Sequence, residues 1–466
     1  MRATAARRPL AIVEVSSMGH CSRHFRTAAR ASRRVCGCAC AITFVALARG
    51  VGAQGLQRTV PASLSDAQFW RFITDLSEPH GTFPFTEDNF ASNEMGFPSV
   101  VARLRADHDT GGAYLGVGPE QNFTYIAAVR PRIAFIVDVR RQAIVQHLLY
   151  KAIFELATDR AGFVSLLFCK PRPAGLDATV PATRIWDAYW PVATDTAAYF
   201  KNLALITRQL TRTHGFPLDS ADLASLTYVY RAFYELGPKI NYGAHIEVAQ
   251  PRTYVAGGGA WVFARGAPLA TPVTTSNGAV IGTTYTPAGD GGRSLAGRGG
   301  LLGRGSVPQA FALGANAFPV GPVGPTAEHY GGVNFASVTA STNGSGGDGG
   351  FLDTEENYRV VRALEMKNLV IPIVGDFAGR QALRGVARYL RDVHESVSVF
   401  YTSNVEEYLF GDGIAARLYE NLDSLPAAPA SVLIRNGADI CPIVPFRAAV
   451  AAGRVKQYDD ALACPR

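Results

Sequence analysis

Cysteine is scarce beyond the first 40 residues: Cys21, Cys36, Cys38 and Cys40 account for four of the 7, and only Cys169, Cys441 and Cys464 follow. The histidines His80, His214, His245 and His329 show no ligand spacing with cysteine or carboxylate partners, so no metal is expected. Gly-x-Ser-x-Gly is missing, which leaves serine-hydrolase chemistry without a nucleophile elbow. No later apolar run is long enough to span a membrane. A basic stripe interleaved with aromatics is also lacking. The net charge of +7 comes largely from arginines before residue 50, so nucleic acid is not an expected partner.

What the N-terminus does contain reads as an export signal over residues 1–53. A basic region runs through Arg33 and Arg34, a modest apolar stretch from Val35 to Ala48, and Val51-Gly52-Ala53 offers a small-residue cleavage site. Ser32-Arg33-Arg34 is compatible with a twin-arginine signal. The protein is therefore expected to be periplasmic or secreted, with an unprocessed leader on a cytoplasmic protein as the alternative. In an oxidising compartment Cys441 and Cys464 could join and anchor the tail, leaving Cys169 in the core.

A chain of 466 residues with 48% hydrophobic content can bury a sizeable core. Residues 54–112 form a helical lead-in, where Ser65-Asp66-Ala67-Gln68 is a capping box and Asn93 and Glu94 belong to a polar stretch before a helix over 97–105. Residues 113–160 and 353–440 carry alternating strand and helix patterns, the signature of one parallel sheet. Between them, 161–352 reads as an insertion, with amphipathic helices at 196–213 and 220–236. Its stretch 257–350 holds about half of the chain's 47 glycines and has no sustained periodicity, so loop or disorder is expected there. Residues 441–466 read as a tail.

The organising stretch is Gly112–Lys151. Ala113–Val117 is a short apolar run ending in Gly116-x-Gly118-Pro119, which reads as a buried strand entering a tight turn. Pro119 suits the first position of the following helix. Ile133–Val137 is a second, wholly apolar strand ending on Asp138. An acid at that tip, about 20 residues past a glycine turn, is the arrangement that holds a ribose. Glu120, in the first turn of the helix, would repel a phosphate, whereas a cationic, phosphate-free ligand would not be repelled. S-adenosylmethionine has that character. Nicotinamide dinucleotides are disfavoured for the same reason.

Taken together, GVGPEQN after the first strand, Asp138 after the second, VGDFAG (374–379) after the third and SNVEEY (403–408) after the fourth resemble a class I methyltransferase-like, Rossmann-like core. The match is closest to a family of uncharacterised bacterial proteins carrying such segments. It covers roughly Leu64–Lys170 and Asp353–Arg435. The resemblance implies Gly116 and Gly118 beneath the amino-acid part of the cofactor, Asp138 on its ribose and Asp376 at the adenine edge. Glu120, Asn122, Gly375 and Phe377 lie in the same cofactor-facing motifs. Ser403, Asn404 and Glu406 fall on the loop where methyl acceptors bind, although Ser403-x-x-Glu406 also reads as a capping box. The acid that normally precedes the first glycine is replaced by Tyr114-Leu115, the third glycine is absent, and little chain remains after Ile434 for a closing antiparallel hairpin.

The expected fold is a three-layer α/β sandwich with a mostly parallel Rossmann-like sheet, interrupted by the insertion. The expected function is a methyltransferase-like protein binding S-adenosylmethionine or a related adenosyl ligand, a small nucleoside-type partner. The alternative is an exported, non-catalytic binding or structural protein with a degenerate form of that fold.

Overall fold

Strand β1 (Ala113–Gly116) is four residues long and fully buried, so both of its edges must find backbone partners. On one side it pairs in parallel with β2 (Ile133–Asp138), Ala113 opposite Ile133. On the other it pairs in parallel with β6 (Val397–Ser403), Leu115 opposite Phe400. The computed structural model describes residues 59–81, 88–107, 111–242, 244, 246, 269–274, 280–286, 325–343 and 349–465. The leader over 1–53 lies outside the described residues.

Two further strands, β3 (Leu269–Thr274) and β4 (Val280–Thr286), form a separate antiparallel hairpin inside the glycine-rich stretch that was expected to be loop. Their Thr and Val content is strand-forming and outweighs the local turn residues. The main sheet is completed by β5 (Val370–Val374), β7 (Ala427–Arg435) and β8 (Asp439–Pro442) in the order β5-β2-β1-β6-β7-β8. All neighbours are parallel except β8, which returns antiparallel to β7. The C-terminal stretch thus contributes an edge strand and the helices Ile443–Ala451 and Tyr458–Leu462, where only a tail was expected. Pro372 sits in β5, an edge strand, where a missing backbone N–H leaves no inner ladder incomplete.

Helices cover the sheet in a way compatible with a three-layer sandwich. The helices Gln121–Val129, Arg141–Leu156 and Glu355–Met366 pack on one another around a cluster of Phe123, Phe154, Phe163, Phe351 and Tyr358, with ring centroids 4.7–6.0 Å apart. The helices Asp66–Leu76 and Ala382–Asp392 meet over Phe135 of β2, which lies 6.2 Å from Phe72 and 5.9 Å from Tyr389. Ser65 and Gln68 form the expected capping box. Thr354 caps its helix through Asn357 N–H, without the reciprocal acid of a box.

The insertion is more helical than its sequence suggested. Beside Thr196–Arg208, continued by a π-turn over Gln209–Thr213, and Ser220–Leu236, it contains Arg160–Phe168 and Ala182–Tyr189. Arg160 ties these to the second half of the sheet. It is buried, pairs with Glu355 at 3.2 Å, and donates to the carbonyls of Leu352, Asp353, Ala178 and Val180. No described helix is long and apolar enough to cross a membrane.

Cys441 on β8 is joined to Cys464 beyond the last helix, and Cys169 is a buried free thiol. The bridge closes a loop with a sequence separation of 23, so Cys441→Ser should lower stability by about 2–4 kcal/mol, and reductant should lower the wild type alone. Arg160→Ala breaks the buried ion pair with Glu355 and takes the guanidinium donor from four carbonyls, and should cost about 3–5 kcal/mol. Urea unfolding of each variant checks both.

Candidate functional site

The order β5-β2-β1-β6-β7 reverses direction between β1 and β6, and in such sheets the crevice outside the carboxyl ends at that point is where ligands bind. The turn after β1 stands at its base. Gly118 takes φ +76, a conformation open to glycine, and a Cβ there would meet nothing within 4 Å. At Gly116 a Cβ would fall 2.0 Å from Asn122 Oδ1. The Asn122 carboxamide fills the turn from within: its Nδ2 donates to the carbonyls of Val117, Gly118 and Pro119 at 2.9, 3.0 and 2.7 Å, and its Oδ1 accepts from the Tyr114 hydroxyl. Asn122 therefore shapes the turn. Pro119 lies ahead of the helix, which begins at Gln121. His147 is a packed histidine whose Nε2 donates to the Gly118 carbonyl at 2.9 Å, and burial pulls its pKa down to about 4, so the ring is neutral.

Two carboxyls are buried beside this turn. Glu120 accepts the Ser92 N–H at 2.9 Å through Oε1, while its Oε2 has no partner. Glu94 accepts the Ser403 hydroxyl at 2.6 Å through Oε1, and its Oε2 is likewise unpaired. Gly437, at φ +58 in the β7–β8 turn, lies against Glu94, where a Cβ would come within 2.4 Å of that oxygen. The ring of Tyr401 of β6 lies 5.0 Å from Tyr125. The Tyr125 hydroxyl and Gln121 Nε2 are also buried without a hydrogen-bond partner. Burial raises the pKa of both Glu94 and Glu120 to about 7, and the charge of Glu94 adds to the rise at Glu120. Glu94, from the polar stretch before the helix that starts at Phe97, is an interior acid.

The other strand tips are largely satisfied by the protein itself. Asp138 is buried and takes three hydrogen bonds from Arg140, from its backbone N, Nε and Nη2 at 3.0, 3.0 and 2.9 Å. The guanidinium outweighs burial and holds the Asp138 carboxyl below its usual range. At the end of β5, Glu78 accepts the N–H groups of Asp376, Gln381 and Ala382, so a carboxylate of the chain occupies the N-terminus of the helix Ala382–Asp392. Asp376 caps Ala378 N–H and lines a surface cavity of about 470 Å³ together with Glu78, Val139, Gly375 and Arg380. Asp138 does not line it, although its carbonyl accepts Gly375 N–H. A Cβ on Gly375 would strike Ala382, and Phe377 packs against Phe400.

After β6, Ser403 adopts φ +50 and turns its hydroxyl to Glu94. Asn404 reaches the Tyr408 hydroxyl at 3.4 Å. Glu406 is buried in an ion pair with Arg435 and also accepts from Tyr419. The expected capping box is thus not formed, because both of its side chains have long-range partners. Ser403 and Glu120 come together through Glu94; Glu406 belongs to a separate structural pair. Sequence reading missed Tyr125 and Tyr401, which sit in apolar runs, and Glu78, whose amide partners lie about 300 residues further along the chain.

These features define an α/β sheet protein with a largely self-satisfied rim and, among the described residues, a pair of half-bonded buried acids at its switch point. The family described as "Domain of unknown function (DUF7790)" matches residues 89–174 and 334–443, which bracket most of the insertion and take in all six strands of the main sheet. No curated protein matches the chain.

A carboxyl whose pKa rises from 4.5 to about 7 on folding holds its proton more tightly in the native state. Its stabilising contribution is complete below pH 4.5 and is lost as pH rises through 7, by on the order of 3 kcal/mol for either group. Glu94→Gln removes one of these titrations. The variant should match wild type near pH 5 in urea unfolding and exceed it by on the order of 2 kcal/mol at pH 8.

Proposed function

We propose that this chain is a methyltransferase-like protein that binds S-adenosylmethionine or a related adenosyl ligand in the crevice between β1 and β6. The observation that carries the reading is the unpaired carboxyl pair, Glu94 and Glu120, beside the Gly116-x-Gly118 turn. Buried acids without a counter-charge favour a cation and oppose a phosphate. An adenosyl ligand with a sulfonium and an ammonium meets that demand; a dinucleotide does not. The strand order with a glycine turn after its central strand supports the same reading. Gly118 leaves room for close backbone approach, and Glu94 and Glu120 would face the charged end of the ligand.

A second reading, a binding protein without turnover, is favoured by the engagement of the strand tips. Glu406 is held by Arg435, and Ser403 is bonded to Glu94, so neither is free to act on a methyl acceptor as the molecule stands.

Titration calorimetry of the full chain tests the shared part of both readings. S-adenosylmethionine should bind, and more tightly at pH 8 than at pH 6, because ionisation of the acid pair through pH 7 supplies the counter-charge. Adenosine triphosphate should not bind. Below pH 7 the binding heat should depend on the buffer, as protons leave the acids. Absence of binding at both pH values, or tighter binding at the lower one, refutes the assignment.

A further inference from the structure

The insertion is fastened to the helix Arg141–Leu156 at both of its ends, and the two fasteners differ in kind. At the start of the helix, Arg141 makes a two-pronged pair with Asp222 of the helix Ser220–Leu236, at 2.9 and 2.8 Å. An arginine stays charged throughout the pH range in which proteins fold. At the other end, Glu155 meets His214, which follows the π-turn Gln209–Thr213. The His214 ring lies between two carboxylates: Nε2 is 2.6 Å from Glu155 Oε2, and Nδ1 is 2.8 Å from Oδ1 of Asp66, which opens the helix Asp66–Leu76. Glu155 also accepts from the Lys151 ammonium at 2.8 Å and from Gln209 Nε2 at 2.7 Å, and Asp66 accepts from Asn368 Nδ2 at 2.9 Å. Both acids therefore act as acceptors. A neutral imidazole has only one N–H to offer, so both contacts are made only by the imidazolium.

Phe216 stacks on the His214 ring at 4.8 Å and itself lies 5.3 Å from both Phe69 and Trp70. A surface cavity of about 390 Å³, lined by Asp66, Trp70, Arg71, His214 and Phe216, opens this corner to solvent. On the inner side Lys151 donates to the Glu365 carbonyl at 2.5 Å, and burial raises the pKa of the Glu365 carboxyl to about 8. We propose that His214 is a proton-operated latch: charged, it clamps the corner Gln209–Phe216 onto two helices of the core, and on losing its proton it releases that corner while the Arg141–Asp222 pair stays as the hinge. The latch does not depend on the adenosyl reading. Burial pulls the His214 pKa down, but the bonds to Glu155 and Asp66 outweigh it and leave the pKa above its ordinary 6.5, with the Lys151 ammonium working against them. A histidine pKa raised by folding stabilises fully below 6.5, and that contribution is lost as pH rises through the raised value. The π-turn beside it is the kind of helix irregularity that often accompanies such a function.

Hydrogen exchange of the full chain, read by peptide mass spectrometry and corrected for the intrinsic effect of pH, tests the latch at amides of the corner itself: His214 N–H donates to the Gln209 carbonyl, and Phe216 N–H to that of Leu210. In wild type their protection should fall at least about tenfold between about pH 6 and about pH 9, the worth of one charge-assisted hydrogen bond, while that of the helix Arg141–Leu156 holds. His214→Gln, which cannot titrate, should show low protection at both pH values and no such fall. Asp66→Asn keeps the acceptor, removes one of the two charges and should lose protection at a lower pH than wild type. Wild-type protection that does not change across this range overturns the latch. So does a fall of equal size in His214→Gln, which would assign the change to Glu365, and so does an unmoved midpoint in Asp66→Asn.

Discussion

The pairing of β1 on both edges is the constraint from which the remaining architecture follows. Its partner β2 comes from the next stretch of chain, but β6 arrives only after the whole insertion, so the central strand is complete only when two distant parts of the sequence meet. Such pairing orders a long loop before its contacts are made, an entropic cost that local helices do not carry. The dense aromatic cluster of Phe123, Phe154, Phe163, Phe351 and Tyr358 draws residues from both parts, as does the Arg160 hub with Glu355 and the carbonyls around it. These interactions hold the returning chain in place, and the insertion then has a fixed base from which to fold over the sheet.

Once the strands are aligned, their carboxyl ends converge and polar groups crowd together there. The chain answers most of them with its own side chains. Asn122 fills the glycine turn, Arg140 neutralises Asp138, Glu78 accepts the amides at the end of β5, and Arg435 pairs with Glu406. Each solution removes an unpaired buried group, whose desolvation would otherwise cost about 1–3 kcal/mol or more. Each also occupies atoms that a ligand would use, so stability and access compete at the same positions.

What the sequence made legible was the local part of this architecture. Apolar runs ending in Gly116 and Asp138, and the Ser65–Gln68 box, rest on neighbours within a few residues, and they stand where expected. Arg140 pairs with Asp138 at the same short range, two residues along the chain. The departures share a different cause. Ser403 and Glu406 fit a capping box by spacing, but Glu94 and Arg435 offered stronger partners that sequence distance hides. Glu78 caps a helix some 300 residues further on, an arrangement with no signal in its own neighbourhood. Strand β8 is too short and too polar at its start to register, and its place depends on the edge that β7 presents.

The acids themselves carry the last step. Where Asp138, Glu155, Glu355 and Glu406 are buried, each faces an arginine or lysine. Glu94 and Glu120 face tyrosines, a serine and each other, and their unpaired oxygens sit among the similarly unpaired Tyr125 hydroxyl and Gln121 amide. A fold that pairs several of its buried acids with arginine or lysine has a remedy that it does not use at this point, nor at Glu365, whose pKa burial raises to about 8. Leaving two carboxyls near half-ionisation at neutral pH forgoes stability, and protein chains tolerate such local conflict chiefly where a site needs it. A ligand bringing one positive charge would relieve the repulsion between the two acids and gain their hydrogen bonds, whereas an anion would compound it. Under the proposed reading, selectivity for charge would be set by the pair before any ligand-specific contact is made, at the switch point that the strand order creates.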